Sequence, residues 1–480
     1  MTSTSDSSYP RTVVDERGDT FELGEKPLGK GGQGVVFRAK NIPDVAVKFC
    51  STNKSSSTDA RKKLRRRLED VRILPLDGIN LARPLELLRG DDVVGYTMRL
   101  LQDMVPIGDL IATDGTKHVV EFYLEHDGLK RRLRLLEKAA STLARLHATP
   151  LVYGDVSAQN VFVSESNEAD ELWLIDSDNL AYLHDSSRGI YTPMFGAPEL
   201  IGGRSGVDTL TDVYSFAILA FWVLVQSHPF LGDAVESGGW DETGAVTDNE
   251  ELAMAGNLPF VDDPDDRSNR GLHGFSAQPE LVLSPTLRKL FRAMFTEGRT
   301  NPLARPGAAQ FARAFRSAAN MTVRCPKCSS TYYVTAKSCP WCGAEKTRPD
   351  VIFVEARRWV PELDKEDWNS LYADNPNSSR VVDIAAPSTL KSHTVAALPS
   401  HYDDEPELRL EVVSDGVTIE RLSDREFWLV SSIDSEPVRL VKQKTLPLPH
   451  ADKKWHLHCG PLDESHRLLS FQFFPGDAAQ

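Results

Sequence analysis

The clearest chemical pattern in this chain is YGDVSAQNVFV, Tyr153–Val163, followed closely by LWLIDSDN, Leu172–Asn179. In the first segment Asp155 stands five residues before Asn160, and the chain then continues as an apolar strand. In the second segment Asp176 directly follows another apolar strand. Either aspartate alone could simply cap a turn. Found in this order, Asp155, Asn160 and Asp176 are candidate site residues rather than turn caps alone.

Upstream, the segment PLGKGGQGVVFRAK contains Gly29, Gly31 and Gly34 in GxGxxG spacing. Glycines let backbone N–H groups approach phosphates without obstruction by a Cβ atom. A Rossmann turn has the same spacing but opens a helix, whereas VVFRAK continues here as a strand. The following strand, VAVK, ends in Lys48. This order predicts a phosphate-covering hairpin beside a strand lysine, and the alternative is an incidental glycine-rich hairpin with a surface lysine.

Such a lysine needs an acidic side chain to orient it. The helical stretch RKKLRRRLEDVRIL offers Glu69 and Asp70. We prefer Glu69 because its side chain reaches further and apolar Ile73 lies one turn on, while Asp70 stays open as the alternative.

In this order, the segments resemble the protein kinases of the Ser/Thr type. The resemblance implies that Asp155 accepts the proton of the substrate hydroxyl and that Asn160 and Asp176 hold Mg²⁺. It also implies that Lys48 binds the α- and β-phosphates of ATP, with the three glycines covering the phosphates.

Further segments extend the resemblance. TPMFGAPE, Thr192–Glu199, matches the end of an activation loop, with Thr192 beside the catalytic aspartate. Asp212 matches the residue that anchors the start of the buried central helix. Arg305, in the sequence ARP, is implied to pair with Glu199.

The chain also departs from the family pattern. The usual His-Arg-Asp is Tyr153-Gly154-Asp155, and the usual Asp-Phe-Gly is Asp176-Ser177-Asp178. Ser157 stands where these kinases commonly place a lysine against the γ-phosphate, a loss that could cost on the order of 10²–10³ in rate. Because the base and metal positions are filled, we favour an active enzyme over a nucleotide-binding pseudokinase scaffold.

A small-molecule kinase of the aminoglycoside type is a further alternative, since such enzymes share the two aspartates and the asparagine. The Ala-Pro-Glu segment, Asp212 and Arg305 favour the protein-kinase branch.

A second motif consists of CPKC and CPWC, two CxxC pairs ten residues apart. Four thiolates at this spacing predict a zinc ribbon with a closed tetrahedral structural Zn²⁺ site. Two matched copies outside a βαβ context disfavour a redox role, and a reducing compartment disfavours disulfides. The ribbon is interpreted as a spacer or protein-docking module rather than a nucleic-acid reader. The predicted ligands are Cys325, Cys328, Cys339 and Cys342.

Composition limits the remaining possibilities. The 480 residues carry a formal charge of −14, which argues against a general affinity for nucleic acid. The longest apolar run, Val213 to Val225, is shorter than the ~20 residues that a membrane span needs. The polar start of the chain does not read as a signal peptide. We therefore expect a cytoplasmic protein with no membrane partner.

The predicted fold class is α+β, with a bilobal kinase-like domain, a zinc ribbon and a small mostly-β domain. We expect the kinase region to be independent of the ribbon, so that a chain ending near Ala319 would fold. The predicted boundaries are a disordered tail at 1–20, the kinase-like domain at 21–320, the ribbon at 321–346, a linker at 347–405 and the β domain at 406–480.

This architecture resembles divergent bacterial kinases of the eukaryotic-like Ser/Thr type. The resemblance implies a protein substrate and an intracellular signalling role, with a metal-dependent phosphatase and a von Willebrand A-domain protein as partners. It is an analogy between families and does not follow from particular residues.

Overall fold

The fold is described from a computed structural model of the chain. The described residues are 9–32, 34–50, 58–90, 94–112, 119–126, 128–167, 169–185, 189, 191–236, 249–271, 277–344, 351–361, 379–383, 387–396, 405–414, 416–430, 436–447 and 455–474.

The amino-terminal lobe is built on a five-stranded antiparallel sheet in the order β3-β4-β5-β7-β6, with one helix against it. The buried side chains of this sheet are mostly β-branched or aromatic, the composition that suits a half-buried sheet. The elements of this lobe are β1 (Thr12–Val14), β2 (Thr20–Glu22), β3 (Gly29–Gly31), β4 (Gly34–Arg38), β5 (Val45–Cys50), α1 (Thr58–Arg72), β6 (Glu86–Leu87) and β7 (Gly95–Arg99).

The second lobe is mainly helical and packs around α5, whose side chains are nearly all buried. Among the helices in the described ranges, none is long and apolar enough to span a membrane. The elements are β8 (Met104–Pro106), α2 (Val119–Glu125), α3 (Gly128–Ala148), β9 (Leu151–Val152), β10 (Val161–Ser164), β11 (Leu172–Leu174), β12 (Ala181–Tyr182), α4 (Pro198–Ile201), α5 (Thr209–Val225), α6 (Asp233–Glu236), α7 (Asn249–Met254), α8 (Pro279–Val282), α9 (Pro285–Phe295), α10 (Glu297–Thr300) and α11 (Ala308–Asn320).

The amino-terminal segment forms a hairpin, β1-β2, that binds the first lobe. The backbone N–H of Glu16 donates to the carbonyl of Leu87 at 2.9 Å. The Glu16 carboxylate lies 2.6 Å from Arg65 and 3.2 Å from Arg72, both on α1. The prediction of a disordered tail at 1–20 is therefore wrong for residues 9–20, because long-range pairing orders them. Residues 1–8 lie outside the described residues.

The cysteine-rich segment contains β13 (Thr322–Arg324) and β14 (Thr331–Tyr333) and shares its hydrophobic core with the second lobe. Trp341 stacks on Tyr123 of α2, with ring centroids 4.6 Å apart. The Tyr333 hydroxyl donates to the carbonyl of Val282 at 3.0 Å. Aromatic side chains are thus buried across the predicted boundary, and a chain ending near Ala319 would lose these contacts with the second lobe.

The carboxy-terminal region is a β-sandwich of two antiparallel sheets, in the orders β16-β15-β24-β23-β20-β21 and β17-β18-β19-β22. Apolar residues from both sheets form one core. The elements are β15 (Val351–Trp359), β16 (Arg380–Asp383), β17 (Ser388–Lys391), α12 (Ser392–Val395), β18 (Pro406–Val413), β19 (Gly416–Arg421), β20 (Trp428–Val430), β21 (Val438–Arg439), β22 (Gln443–Leu446), β23 (Trp455–His458) and β24 (His466–Phe474).

The predicted linker at 347–405 is corrected by this sandwich. β15 pairs with β24 over nine positions, from Val351 opposite Phe474 to Trp359 opposite His466. Strands β16 and β17 also fall within the supposed linker. Its residues 347–350, 362–378, 384–386 and 397–404 lie outside the described residues.

The tight β3-β4 hairpin gives a first prediction. Gly34 has φ of +153°, and a Cβ atom there would lie 2.1 Å from the carbonyl oxygen of Phe49. We expect Gly34→Ala to lower the free energy of unfolding by about 2–3 kcal/mol, through overpacking and backbone strain. Gly29→Ala is the matched control, since nothing lies within 4 Å of its added Cβ. Denaturant unfolding of both variants measures this, and equal losses would contradict the hairpin geometry.

The buried Trp341 gives a second prediction. Trp341→Ala removes the stack on Tyr123 and should cost about 3–5 kcal/mol of unfolding free energy. Trp341→Phe keeps a ring but loses the indole N–H that donates to the carbonyl of Thr331 at 2.7 Å, for which we expect about 1 kcal/mol. Thermal unfolding of the full chain distinguishes them. A Trp341→Ala protein as stable as Trp341→Phe would show that the stack does not join ribbon and lobe.

Candidate active site

The candidate site lies where β5, the loop after β9 and the turn after β11 meet. Lys48, 5% exposed, projects from β5 and forms ion pairs with two aspartates of the turn. One is Asp176, which the family resemblance assigned to Mg²⁺ and not to Lys48, and the other is Asp178, whose Oδ2 lies 2.7 Å from Lys48 Nζ. The site therefore contains one buried cation between two carboxylates from the other lobe.

The electrostatics of this cluster follow from burial and charge together. Burial alone would lower the pKa of Lys48, but the charges of Asp178 and Asp176 outweigh it and raise that pKa above its ordinary value. Burial raises the pKa of Asp176, and the nearby Asp178 adds to the effect while Lys48 opposes it. Lys48 is therefore held as an ammonium ion. A cation close to Asp176 would stabilise the ionised form of its carboxylate.

Asp155 is held by two hydrogen bonds. The Thr192 hydroxyl donates to its Oδ1 at 2.6 Å, as the resemblance implied, and Asn160 Nδ2 donates to its Oδ2 at 2.9 Å. The same Asn160 nitrogen also donates to the Asp155 carbonyl at 2.9 Å. The side-chain amide nitrogen of Asn160 is engaged by Asp155. The side-chain amide oxygen is therefore the atom of Asn160 that could bind a metal ion.

The backbone of this loop is fixed by α5. The buried Asp212 carboxylate accepts from the N–H groups of Tyr153 and Gly154, at 2.7 and 2.8 Å. Gly154 has φ of +84°, which explains the glycine before Asp155. The Tyr153 hydroxyl donates to the carbonyl of Ile175, so it connects the loop to the residue before Asp176.

The remaining kinase landmarks also meet. Arg305 donates to both carboxylate oxygens of Glu199, at 2.6 and 2.8 Å, and its guanidinium lies 4.5 Å from the ring centroid of Tyr214. This confirms the predicted pair between Glu199 and Arg305. A buried bidentate pair of this kind fixes the segment that follows the activation loop to the core.

The glycine-rich segment is a hairpin, as the sequence predicts. Gly29 lies opposite Val36, and Gly31 lies opposite Gly34 at the turn. Val36 in turn pairs with Lys48 on the adjacent strand. Gly29 and Gly31 are exposed, so their backbone is open to a ligand beside the lysine.

The proposed partner of Lys48 is corrected by the structure. Glu69 lies on the surface of α1, with 44% of its side chain exposed, and pairs with Arg65 at 3.7 Å. Ile73, the apolar residue one turn on that favoured Glu69, is 77% exposed. The alternative, Asp70, is also exposed. The helix therefore turns its acidic residues away from the lysine, and Leu68 and Val71 face the core instead.

Sequence reasoning missed Asp178 and Tyr96. Asp178 was treated only as the loss of a glycine, although a second acid two residues after Asp176 was a signal for a charged partner. The Tyr96 hydroxyl donates to Asp178 Oδ1 at 2.7 Å from within the apolar strand β7. A tyrosine in that strand carries no signal that distinguishes it from an ordinary core residue.

The four cysteine side chains of the cysteine-rich segment lie close together. Their sulfur atoms all lie within 4.8 Å of one another. Cys325 and Cys342 are 3.8 Å apart, and Cys328 and Cys339 are 3.7 Å apart. A tetrahedron with Zn–S distances of about 2.3 Å has S···S edges of about 3.8 Å. Both of these S···S distances match such a tetrahedron, so the four thiols are placed to hold a tetrahedral metal ion.

Comparison with known proteins agrees with this geometry. The protein kinase domain family matches residues 23–314, more than half of the chain. Calcium-dependent protein kinase 3 of Plasmodium yoelii yoelii is 25% identical over 224 residues, covering 45% of this chain and 38% of that protein. Serine/threonine-protein kinase PknB is 24% identical over 233 residues in Mycolicibacterium smegmatis and 26% over 242 in Mycobacterium tuberculosis, covering 46% of this chain and 35% of each relative.

The chain thus spans little more than a third of the length of these relatives. The matched residues include the glycine hairpin, Lys48, Asp155, Asp176 and the Glu199–Arg305 pair. The chain belongs to the protein kinase domain family.

Proposed function

We propose that this protein is a Ser/Thr protein kinase, which transfers the γ-phosphoryl group of ATP to a hydroxyl group of a protein substrate. The observation that carries the proposal is the arrangement of Asp155, which Thr192 and Asn160 hold in place beside the Lys48–Asp176 ion pair. The printed names of the relatives, which are Ser/Thr and calcium-dependent protein kinases, support it further.

In the proposed mechanism Lys48 binds the α- and β-phosphates of ATP, and the glycine hairpin covers them. Asn160 and Asp176 would hold Mg²⁺, whose charge would offset that of the phosphates. Asp155 orients the acceptor hydroxyl and takes its proton while the new O–P bond forms and the β–γ bridging bond breaks, so that ADP leaves.

A pseudokinase scaffold is the second candidate, and Ser157 favours it. This serine is 1% exposed, and its hydroxyl has no hydrogen-bond partner among the described residues. It cannot replace a lysine as a cation at the γ-phosphate. Because this change removes one electrostatic donor and leaves the base in place, we expect a slower enzyme rather than an inactive one.

The ribbon and the sandwich extend the proposal. We assign a structural Zn²⁺ ion to the four cysteines and a docking role for protein partners to the region after the kinase lobes. The finer family analogy adds a bacterial signalling context, with a metal-dependent phosphatase and a von Willebrand A-domain protein as partners. A four-thiolate site suits a reducing compartment, so we propose a cytoplasmic location.

The third prediction separates catalysis from nucleotide binding. Asp155→Asn should lower phosphoryl transfer by about 10²–10⁴-fold, because it removes the base, while nucleotide affinity survives. Asp176→Asn should weaken Mg-ATP binding as well, since it removes a metal ligand. Asp77→Asn, with a 98% exposed side chain, is the control.

Radiolabelled ATP with generic protein substrates, together with a nucleotide-binding titration, measures both effects. Undiminished transfer by Asp155→Asn would refute its assignment. Wild-type protein that binds nucleotide without transferring phosphate would instead support the scaffold, and phosphorylation of an aminoglycoside alone would support the small-molecule kinase.

The fourth prediction concerns the metal. Purified protein should carry one zinc ion per chain, and Cys339→Ser with Cys342→Ser should lose it. Structural zinc sites contribute roughly 10–16 kcal/mol in small peptides, so this variant should also unfold at a lower temperature. Cys459→Ala, which changes a buried thiol of the sandwich, is the control. Elemental analysis and thermal unfolding measure both effects. A wild type that carries no zinc, and a double variant that melts at the wild-type temperature, would contradict the assignment.

A further inference from the structure

The buried acid beside Lys48 comes from an unexpected place. Both carboxylate oxygens of Asp178 are engaged, Oδ2 by Lys48 Nζ at 2.7 Å and Oδ1 by the Tyr96 hydroxyl at 2.7 Å. The residue is only 6% exposed. Asp178 is thus an acceptor for Lys48, for Tyr96 and for the weaker thiol donor Cys50, whose sulfur lies 3.7 Å from Oδ2. The neighbouring Asp176 is partly exposed.

Strand pairing explains why these donors converge. Tyr96 lies directly opposite Lys48 in the antiparallel β5-β7 pair, so both side chains leave the same face of the sheet. Asp176 adopts a left-handed backbone conformation, with φ of 62°, and the 3₁₀ turn Ser177–Asn179 follows it. This turn brings Asp178 towards the lysine and the tyrosine.

Helix α1 has its own anchors and does not supply an acid to the lysine. Glu69 pairs with Arg65, and Arg65 and Arg72 bind Glu16 of the amino-terminal hairpin. Arg67 donates to Asn179 Oδ1 at 3.3 Å, which joins the helix to the 3₁₀ turn. The position of α1 is therefore set without an ion pair to Lys48.

We propose that Asp178 is the positioning residue for Lys48, in the role that the family resemblance assigned to an acid of helix α1. The inference rests on the proposed kinase function. With Asp176 assigned to Mg²⁺, Asp178 would be the counter-charge that keeps the Lys48 ammonium ion ordered and directed at the nucleotide. Tyr96 restrains Asp178 in turn, so the lysine and both acids form one unit.

The test measures Lys48 itself as well as catalysis. Full-length wild type, Asp178→Asn, Tyr96→Phe and Glu69→Gln are treated with acetic anhydride across a pH series, and acetylation of Lys48 is followed by peptide mass spectrometry. Removing the Asp178 carboxylate takes away one of the two acidic side chains that hold the Lys48 amine, so the amine reacts more readily with the reagent. We expect Lys48 of Asp178→Asn to be acetylated at least about tenfold faster at a fixed pH, the effect of losing one hydrogen bond to a charged group.

The other variants separate this role from general packing. Tyr96→Phe should give a smaller increase in acetylation, about two- to fivefold, the usual effect of one hydrogen bond. Glu69→Gln should match wild type in both acetylation and phosphoryl transfer. Asp178→Asn should lower transfer by about 10–10²-fold, the size expected when one electrostatic donor is misplaced.

Two results would overturn the proposal: unchanged Lys48 acetylation in folded Asp178→Asn, or an equal change in Glu69→Gln. If Asp178→Asn does not fold, Tyr96→Phe decides, and wild-type acetylation in that variant counts against the role. A wild type that transfers no phosphate, with acetylation responding as expected, would reject the kinase function while supporting the assignment of Asp178 to Lys48.

Discussion

One buried charge cluster joins the two lobes of this protein, and the rest of the site depends on it. A lysine ammonium buried without a partner would be costly, and removing one member of a buried pair leaves an uncompensated charge. Here Lys48 of the sheet lobe meets Asp176 and Asp178 of the helical lobe, and Tyr96 satisfies the remaining oxygen of Asp178. The cluster fixes where the glycine hairpin lies relative to the turn that follows β11.

A second set of contacts fixes the loop that carries Asp155 relative to that cluster. Asp212 holds the loop backbone from α5, and Tyr153 bonds to the residue before Asp176. Helix α5 thereby positions the loop of Asp155 through the Asp212 carboxylate. The Tyr153 hydroxyl then links this loop to the turn that carries Asp176. The ribbon reaches the same core: Trp341 stacks on Tyr123, which lies 4.4 Å from the buried guanidinium of Arg132.

The sequence predicts those parts of the site whose spacing is local. Asp155 and Asn160 share one short loop, so five-residue spacing was enough to place them together. Lys48 and Asp176 could be paired only through the resemblance to kinases, because 128 residues separate them. The partner acid was misplaced because helix periodicity says which residues share a face but not towards which neighbour that face turns.

The errors in domain boundaries have a related cause. The hairpin β1-β2 looks polar in sequence, and its long-range hydrogen bond to Leu87 attaches it to the first lobe. Strand β15 begins with the apolar run VIFV, a strand signal inside the supposed linker, and it pairs with distant β24. The stack between Trp341 and Tyr123 likewise joins segments that composition alone would separate. Such contacts gain their free energy from burial across long sequence distances, which no local pattern records.

Lys48 takes its counter-charge from Asp176 and Asp178 of the second lobe and not from the described residues of helix α1. A crystal structure of the full chain with Mg²⁺ and a non-hydrolysable ATP analogue tests it most directly. We expect Lys48 Nζ to contact both the nucleotide phosphates and Asp178, with Asp176 on the metal and Glu69 still at the surface. A structure in which Glu69 has turned inward to pair with Lys48, and Asp178 has left it, would contradict the account.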